Sequence, residues 1–284
     1  MEDIIKKIQR MPLSRTDVKI ADYVVEHINT IGLLTSTSLA SEVGVSDTSV
    51  IRFIRKLGFR GYADFRGAMA NRIADQYDQE QRASLLPGEK YNRTRSNLRK
   101  DRLIGDVSAY TFKNLEKSYS MLDNKTVDMV VQILLNSRRK YIAGFRGTAS
   151  CAQYMANRLV LLVPNVVSLL HADASAVEAL VDIEKEDCLF LYSFPRYSEL
   201  NYQLIEIARK NSAKIILMTD RYTSPLSGKA DITLLAQIDG LGFTNSYVAP
   251  LSLSEVILLA LSGSPSCAAR IVHMDKIVSA SALY

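Results

Sequence analysis

The fold of the N-terminal part is set by residues 37–58, which read TSLASEVGVSDTSVIRFIRKLG. Gly44 stands where a short helix would end, because glycine readily adopts the left-handed backbone that terminates helices. Ser46 can then cap a second helix over residues 47–57, in which apolar residues recur along one face. With an earlier helix that Ser14 caps, the pattern predicts a small all-α domain that contains a helix-turn-helix.

The second of these helices has polar and basic side chains opposite its apolar stripe. The N-terminal residues of such a helix enter the major groove of DNA, where an arginine can contact both acceptors of a guanine. We therefore expect the base readers to be Asp47, Thr48, Ser49 and Arg52. Phosphate contacts are expected from the helix start at Ser46 and from Arg55, Lys56 and Arg60. A three-helix bundle without a role in DNA binding remains the alternative on spacing alone.

Charge is distributed unevenly along the chain. The 284 residues include 35 basic and 30 acidic side chains, which gives a net charge of +5. Residues 81–120 contain nine basic and four acidic residues, and the rest of the chain is balanced. Such a local excess favours a polyanionic partner. A solvated helix face followed by a charged linker would give the same composition.

Residues 79–104 are predicted to be a basic linker between a helix-turn-helix domain at residues 1–78 and a larger domain at residues 105–284. The segment is polar and could be partly helical, although Pro87-Gly88 is expected to break any helix there. Five of its seven cationic side chains could lie near DNA phosphates or simply be solvated. They are Arg93, Arg95, Arg99, Lys100 and Arg102.

The composition argues against several classes of protein. Hydrophobic residues make up 48% and charged residues 23% of the chain, which is ordinary for globular proteins and unlike fibres or disordered chains. No apolar run approaches the roughly 20 residues that a transmembrane helix needs. The three cysteines are far apart and show no disulfide or metal-ligand pattern, so we expect no metal, no cofactor, no membrane partner and a cytoplasmic location.

The C-terminal part alternates short apolar runs with helical patterns. Five runs are predicted as strands: Lys140–Gly144, Val166–Leu170, Cys188–Tyr192, Lys214–Met218 and Ile232–Ala236. Helices are expected between them over Ser150–Leu162, Ala174–Ile183 and Tyr202–Asn211. Apolar strands separated by helices indicate an α/β domain with a five-stranded parallel sheet that is flanked by helices.

Ligands of such sheets bind at the carboxyl ends of the strands. Two loops that follow predicted strands offer backbone amides, hydroxyls and a guanidinium at a helix start, which suits an anion. The candidates are Gly144, Arg146 and Thr148 after the first strand, and Ser193, Arg196 and Ser198 after the third. Each loop alone could be ordinary helix capping, but together they favour an anion site.

The helix-turn-helix stretch resembles the N-terminal domain of RpiR/MurR-type bacterial transcription regulators. The resemblance rests on Gly44-Val45-Ser46, Arg52-Phe53, Arg55-Lys56-Leu57-Gly58-Phe59 and Gly61-Tyr62, and it extends over about residues 1–75. It implies a domain that binds double-stranded operator DNA as a dimer.

Residues from about 105 to 284 resemble the sugar isomerase (SIS) domain, which binds phosphosugars and usually dimerises. The first loop of that family is typically Gly-x-Gly-x-Ser, whereas Arg146 and Thr148 replace the second glycine and the serine here. Its second loop is typically Ser-x-Ser-Gly-x-Thr, whereas Pro195, Arg196 and Ser198 replace Ser-Gly and the threonine. The resemblance implies a phosphosugar-type effector and a homodimer or homotetramer, while the two arginines could bind a differently shaped anion or partly fill the pocket.

Three functions remain open at this point. The first is a transcription regulator in which a phosphorylated metabolite changes the spacing or mobility of two DNA-reading heads. The second is a phosphosugar isomerase, which needs a positioned base such as a glutamate or a histidine. The three histidines show no partner pattern and Glu199 and Glu255 are weak candidates, so we predict no catalytic residue. The third is a DNA-binding protein whose SIS domain only dimerises.

Overall fold

A computed structural model describes residues 11–28, 30–70, 85–97, 100–242 and 244–280, together with Ile4, Lys7 and Ile8. The chain divides into two compact units, Met1–Arg82 and Ala83–Tyr284. In the part of the chain that is described, no single helix is both long and apolar enough to cross a membrane.

The first unit is all-helical, as predicted. Its helices are α1 (Arg15–Glu26), α2 (Ser36–Val43), α3 (Asp47–Lys56) and α4 (residues 62–70), with a 3-10 turn at Ile31–Leu33. The apolar stripes of these helices meet in one core, whose members include Ile20, Val24, Leu39, Val50, Phe53 and Phe65. All six are fully shielded from solvent. The apolar periodicity therefore identified the inner faces of α1, α2 and α3 correctly, whereas α4 was not predicted.

The turn between α2 and α3 has the predicted chemistry. Gly44 has a φ of +69°, in the left-handed region that glycine adopts without steric cost. The amide of Val45 donates to the carbonyl of Ala40 at 2.9 Å and that of Gly44 to Ser41 at 3.2 Å. This pair of bonds is a Schellman motif. The Ser46 hydroxyl then accepts the amide of Ser49 at 3.2 Å and caps α3.

A buried ion pair ties α1 to α3. The side chain of Asp17 is 1% exposed and accepts Lys56 Nζ at 2.7 Å. The same carboxylate oxygen accepts the Ser14 amide at 3.0 Å and the Ser14 hydroxyl at 2.8 Å. Burial alone would raise the pKa of Asp17, but the hydrogen bonds from Lys56 and Ser14 outweigh it and lower the pKa to about 2. The ionised carboxylate therefore stabilises the fold of this unit.

The second unit is built on a five-stranded parallel sheet with the strand order β2-β1-β3-β4-β5. The strands are β1 (Lys140–Gly144), β2 (Val166–Leu169), β3 (Cys188–Tyr192), β4 (Lys214–Thr219) and β5 (Ile232–Leu235). The predicted sheet is confirmed, and β1 and β3 agree with the sequence analysis residue for residue. Every residue of β1 and β3 is buried, because helices cover both faces of the sheet.

Eight helices of the second unit are described. They are α5 (Pro87–Asn97), α6 (Leu103–Ser120), α7 (Asn124–Asn136), α8 (Ala149–Leu162), α9 (Ala174–Glu178), α10 (Glu199–Lys210), α11 (Val248–Ser262) and α12 (Pro265–Ala280). Helices α7, α8 and α11 cover one face of the sheet, and α9 and α10 cover the other. The predicted helix Ala174–Ile183 is too long, because α9 ends at Glu178. Leu180 and Ile183 lie in the turns that follow it, where they are buried against the same core.

The expectation that Pro87 breaks any helix is wrong, because α5 begins at this residue. The first residue of a helix needs no amide donor, and the fixed φ of proline suits that position. Helix α5 is hydrogen-bonded to the loop after β5: the Thr94 hydroxyl donates to the carbonyl of Leu241 at 2.7 Å. Residues 85–97 of the predicted linker are therefore part of the second unit, whereas Arg99 lies outside the described residues.

The ion pair in the first unit gives a pH-dependent prediction. We expect Asp17→Asn to lower the unfolding free energy of this unit by about 2 kcal/mol near neutral pH. The folded-state pKa is below the ordinary value of 3.8, so the contribution is complete above pH 4 to 5 and disappears as the pH falls toward 2. Hydrogen exchange of the α1 and α3 amides measures it. Asp22→Asn, an exposed carboxylate on the same helix, is the control. A loss that is equal in both variants, or that is independent of pH, would contradict the prediction.

Candidate functional site

The exposed face of α3 presents polar and basic side chains in a row. Thr48, Arg52 and Arg55 follow one another at helical spacing, and all three are exposed. In the described part of the chain neither arginine pairs with a carboxylate. Both guanidinium groups are therefore accessible to an anionic partner such as DNA.

The start of α3 holds three further candidate DNA contacts. The hydroxyls of Ser46 and Ser49 lie 2.9 Å apart, within hydrogen-bond distance of each other. Asp47 is half-buried, and its Oδ1 is buried without a hydrogen-bond partner among the described residues. These positions are compatible with groove contacts, which remain predictions.

The two candidate phosphate contacts after the apolar stripe differ in their partners. Arg60 is 92% exposed, with Nε 3.8 Å from Asp64, so its guanidinium remains largely in solvent. Lys56 instead donates to the buried Asp17, although its side chain is 41% exposed. Lys56 thus has a structural role in addition to the phosphate contact that the sequence predicts.

The carboxyl edge of the sheet in the second unit has the topology that forms a ligand crevice. Strands β1 and β3 are neighbours, and the helices that follow them, α8 and α10, lie on opposite faces of the sheet. The two loops between these strands and helices therefore diverge, which is the geometry of a topological switch point. Both predicted anion-binding loops lie at this position.

The loop after β1 is held closely against α8. A Cβ added to Gly144 would lie 2.5 Å from the carbonyl oxygen of Thr148, so only glycine fits there. The hydroxyl of Thr148 accepts the amide of Phe145 and donates to the Phe145 carbonyl, both at 2.9 Å. Thr148 is buried, so it shapes the loop, and a ligand contact from it remains a prediction.

The hydroxyls of the loop after β3 also have partners within the protein. Ser193 is buried and accepts Asn201 Nδ2 at 2.7 Å. Ser198 accepts the amide of Leu200 at 3.3 Å and caps α10. These hydrogen bonds fix the path of the loop and the start of the helix.

Arg146 and Arg196 occupy the corresponding strained position in each loop. Their φ angles are +57° and +71°, in the left-handed region, where a side chain costs roughly 1–2 kcal/mol relative to glycine. Both are exposed, and both stand where the resembling family has glycine. The loops thus keep a glycine-like backbone and add a guanidinium group to each side of the crevice.

Tyr247, which the sequence analysis missed, lies between the two loops. A Cβ on Gly147 would be 2.7 Å from its phenolic oxygen, and its ring lies 6.0 Å from the ring of Phe194. Burial raises the pKa of Tyr247, whereas the charges of Arg196 and Arg146 lower it, so both guanidinium groups act on this phenol. The phenol remains protonated and can donate a hydrogen bond to an anion.

Lys90 of α5 was also missed, because its segment was assigned to a linker. It is 8% exposed, and its Nζ donates to Asn245 Oδ1 at 2.5 Å. Burial lowers the pKa of Lys90, the nearby Arg196 lowers it further, and Asp239 opposes both effects. No sequence signal indicates that this lysine reaches the loop after β5, because 155 residues separate it from its partner.

Family models match both units of the chain. Residues 2–76 match the model described as helix-turn-helix domain, rpiR family, and residues 133–260 match the SIS domain. This chain belongs to the RpiR family of transcription regulators. Its first unit is the DNA-binding helix-turn-helix of that family, and its second unit is the SIS domain.

Similar proteins match one or both units of this RpiR-family protein. An uncharacterized HTH-type transcriptional regulator from Haemophilus influenzae is 23% identical over 78% of this chain and 75% of its own length. The sugar isomerase domain of an RpiR transcription factor from Sphaerobacter thermophilus covers 63% of this chain and 98% of its own, at 18% identity and a TM-score of 0.59. The Vibrio vulnificus NanR protein, in complex with ManNAc-6P, covers 99% and 100% at 21% identity and a TM-score of 0.55. These structural likenesses establish a common fold.

Replacing each of the two glycines near the first loop, Gly144 and Gly147, by alanine should destabilise the SIS unit to different extents. Gly144→Ala presses on the backbone of Thr148, so we expect it to destabilise the SIS unit by about 1–3 kcal/mol. Gly147→Ala meets only the Tyr247 side chain, which can rotate away, so we expect a loss below about 1 kcal/mol. Calorimetric unfolding of the full chain separates the two, and Gly228→Ala, which meets nothing within 4 Å, is the control. Equal losses at Gly144 and Gly147 would contradict this packing argument.

Proposed function

We propose that this regulator reads its operator with α3 and that a sugar phosphate in the crevice of the SIS unit controls its affinity for DNA. The observation that carries the second part is the pair of guanidinium groups, Arg146 and Arg196, held at the switch point by left-handed backbone. Guanidinium groups bind phosphate in bidentate fashion. The Vibrio vulnificus NanR protein, which shares this fold, was solved with a sugar phosphate. Sugar phosphates are therefore the first effectors to test.

The two arginines of α3 have different proposed roles in groove binding. Arg52 lies in the N-terminal half of the helix, where recognition helices contact base edges. Arg55 lies one turn later, where phosphate contacts are more common. A dimer would place two such helices on half-sites about one helical turn apart, or a multiple of it.

A second copy of the SIS unit is the proposed partner for dimerisation. Large apolar side chains are exposed on α6 and α11, among them Ile104 at 86%, Phe112 at 68% and Leu259 at 76%. Exposed apolar surface of this kind marks interaction sites. The effector would act by binding two arrangements of the dimer with different affinity, since a ligand shifts an equilibrium only by that difference.

We further propose that the crevice binds its ligand without catalysis, in a cytoplasmic protein. The Haemophilus influenzae and Sphaerobacter thermophilus proteins are named as a transcriptional regulator and a transcription factor. The Thr148 and Ser193 hydroxyls are held in hydrogen bonds within the protein. Glu199, at the start of α10, is the acidic side chain placed to act as a base. Aldose–ketose conversion of sugar phosphates, measured with wild type and Glu199→Gln, tests this point. Turnover that Glu199→Gln abolishes would establish an isomerase instead.

Operator binding is tested by capturing source-genome fragments on the purified chain and sequencing them. We expect a palindromic sequence to be enriched in moderate salt. With that operator, Arg52→Ala should lose about 1–3 kcal/mol of binding free energy, with a smaller loss on random DNA. Arg55→Ala should weaken binding to operator DNA and to random DNA by the same factor. Fluorescence anisotropy at fixed salt measures both, and an equal loss for Arg52→Ala on operator and random DNA would make it a phosphate contact.

Effector control is tested with the charge of the second loop. A panel of sugar phosphates that begins with ManNAc-6P is screened by thermal shift, where a ligand at 100 times its Kd adds about 2.7 kcal/mol of stability. Arg196→Gln keeps a polar side chain but removes the charge and the guanidinium fork, so it should abolish the shift and the change in operator affinity. Operator binding without effector should survive. Arg209→Gln, near the far end of α10, is the matched control and should respond as wild type does. An unchanged response of Arg196→Gln would remove this loop from the site.

A further inference from the structure

Helix α5 holds a buried cation against the loop that follows β5. Lys90 is more than nine-tenths buried, and its Nζ is hydrogen-bonded to Asn245, two residues before Tyr247. Tyr247 in turn contacts Gly147 in the loop after β1. Lys90 is therefore joined to the anion-binding loops by a short chain of direct contacts.

The charge around Lys90 is incompletely balanced by the protein. Arg196 acts on it as a like charge, and Asp239 opposes that effect. Burying an ammonium group close to a guanidinium group costs free energy unless an anion lies between or beside them. Lys90 has three N–H donors, and the hydrogen bond to Asn245 uses one of them. The remaining donors can serve a ligand.

We propose that Lys90 is a third ligand-binding cation of the crevice, which together with Arg146 and Arg196 holds a phosphate monoester dianion. This inference rests on the proposed effector site and adds a contact from a helix outside the sheet. A phosphate group has three terminal oxygens and two negative charges near neutral pH. Two guanidinium groups and one ammonium group carry three positive charges, one more than the dianion has negative charges, and each can donate hydrogen bonds to a phosphate oxygen.

Because Lys90 lies on α5, an anion that it binds would change how firmly α5 is attached to the sheet. Helix α5 is the first helix of the second unit, five residues after the boundary at Arg82. It is attached to the loop after β5 through Lys90 and through the Thr94 hydroxyl. An anion that bridges Lys90 to the loops after β1 and β3 adds a further attachment, so ligand binding tightens α5 onto the sheet. The ligand thereby acts on the segment of chain that leads back to the DNA-binding unit.

Direct binding measurements on the full chain test the role of Lys90. Inorganic phosphate and ManNAc-6P are titrated calorimetrically into wild type, Lys90→Met and Lys210→Met. Methionine keeps most of the stem and removes the charge, so Lys90→Met should bind phosphate at least about tenfold more weakly. Lys210 is an exposed lysine at the C-terminal end of α10, near the opposite edge of the sheet, and its variant should bind as wild type does. If ManNAc-6P binds and inorganic phosphate does not, the site requires the sugar. In that case Lys90→Met should still bind ManNAc-6P more weakly than wild type does.

A second variant keeps the lysine and removes only the net charge. Asn245→Asp places a carboxylate beside Lys90 in nearly the same shape, so it should also weaken phosphate binding.

Hydrogen exchange of residues 87–97 gives an independent measurement: phosphate should slow exchange in wild type and not in Lys90→Met. Wild-type affinity in both variants, or no protection of α5 in wild type by either probe, would overturn the inference. If a sugar phosphate changes operator affinity equally in wild type and Lys90→Met, the inference fails while the proposed function stands. If it changes operator affinity in neither, the effector proposal itself fails.

Discussion

The site of the second unit depends on the adjacency of two parallel strands whose crossover helices go to opposite faces. Strands β1 and β3 pair in register from Lys140 with Cys188 to Gly144 with Tyr192. A parallel sheet must be covered on both faces, because each strand is apolar on both sides. Helices α8 and α10 therefore diverge from neighbouring strand ends, and the loops that lead to them cannot close over the gap. The crevice is a consequence of covering the sheet.

Close backbone contact then determines which residues these loops accept. Gly144 allows the loop after β1 to lie directly on Thr148, and Gly147 leaves room for the ring of Tyr247. Arg146 and Arg196 keep the left-handed backbone that glycine would adopt more cheaply. Strained positions of this kind persist where the surrounding structure fixes them, and they cluster at binding sites. In this protein the strain places two cationic side chains at the mouth of the crevice.

The loop after β5 connects the crevice to two helices that precede the sheet in the sequence. Asn114 of α6 donates to the carbonyl of Asp239 at 2.7 Å, and the amide of Gln237 donates to the Ser118 hydroxyl at 2.8 Å. The same loop holds α5 through Leu241 and ends at Tyr247 beside the crevice. A ligand that reorders this loop therefore acts on helices far from it in sequence. This connectivity gives a physical route by which an effector site can influence the chain that leads to the DNA-binding unit.

The sequence by itself determined the helix-turn-helix, the five parallel strands and the two candidate loops. These features depend on local signals: Gly44 and Ser46 at helix ends, period-3.6 stripes, and apolar strands between helices. It wrongly predicted a helix break at Pro87 and placed the end of α9 too far along the chain. A proline can break a helix or begin one, and apolar residues at helical spacing can lie in a helix or in the turns after it. Only the tertiary structure showed that Lys90 contacts Asn245, that Tyr247 lies against Gly147 and that Lys56 pairs with Asp17. Those contacts join residues that are 39 to 155 positions apart, and no periodic pattern records which distant side chains the packing of a sheet brings together.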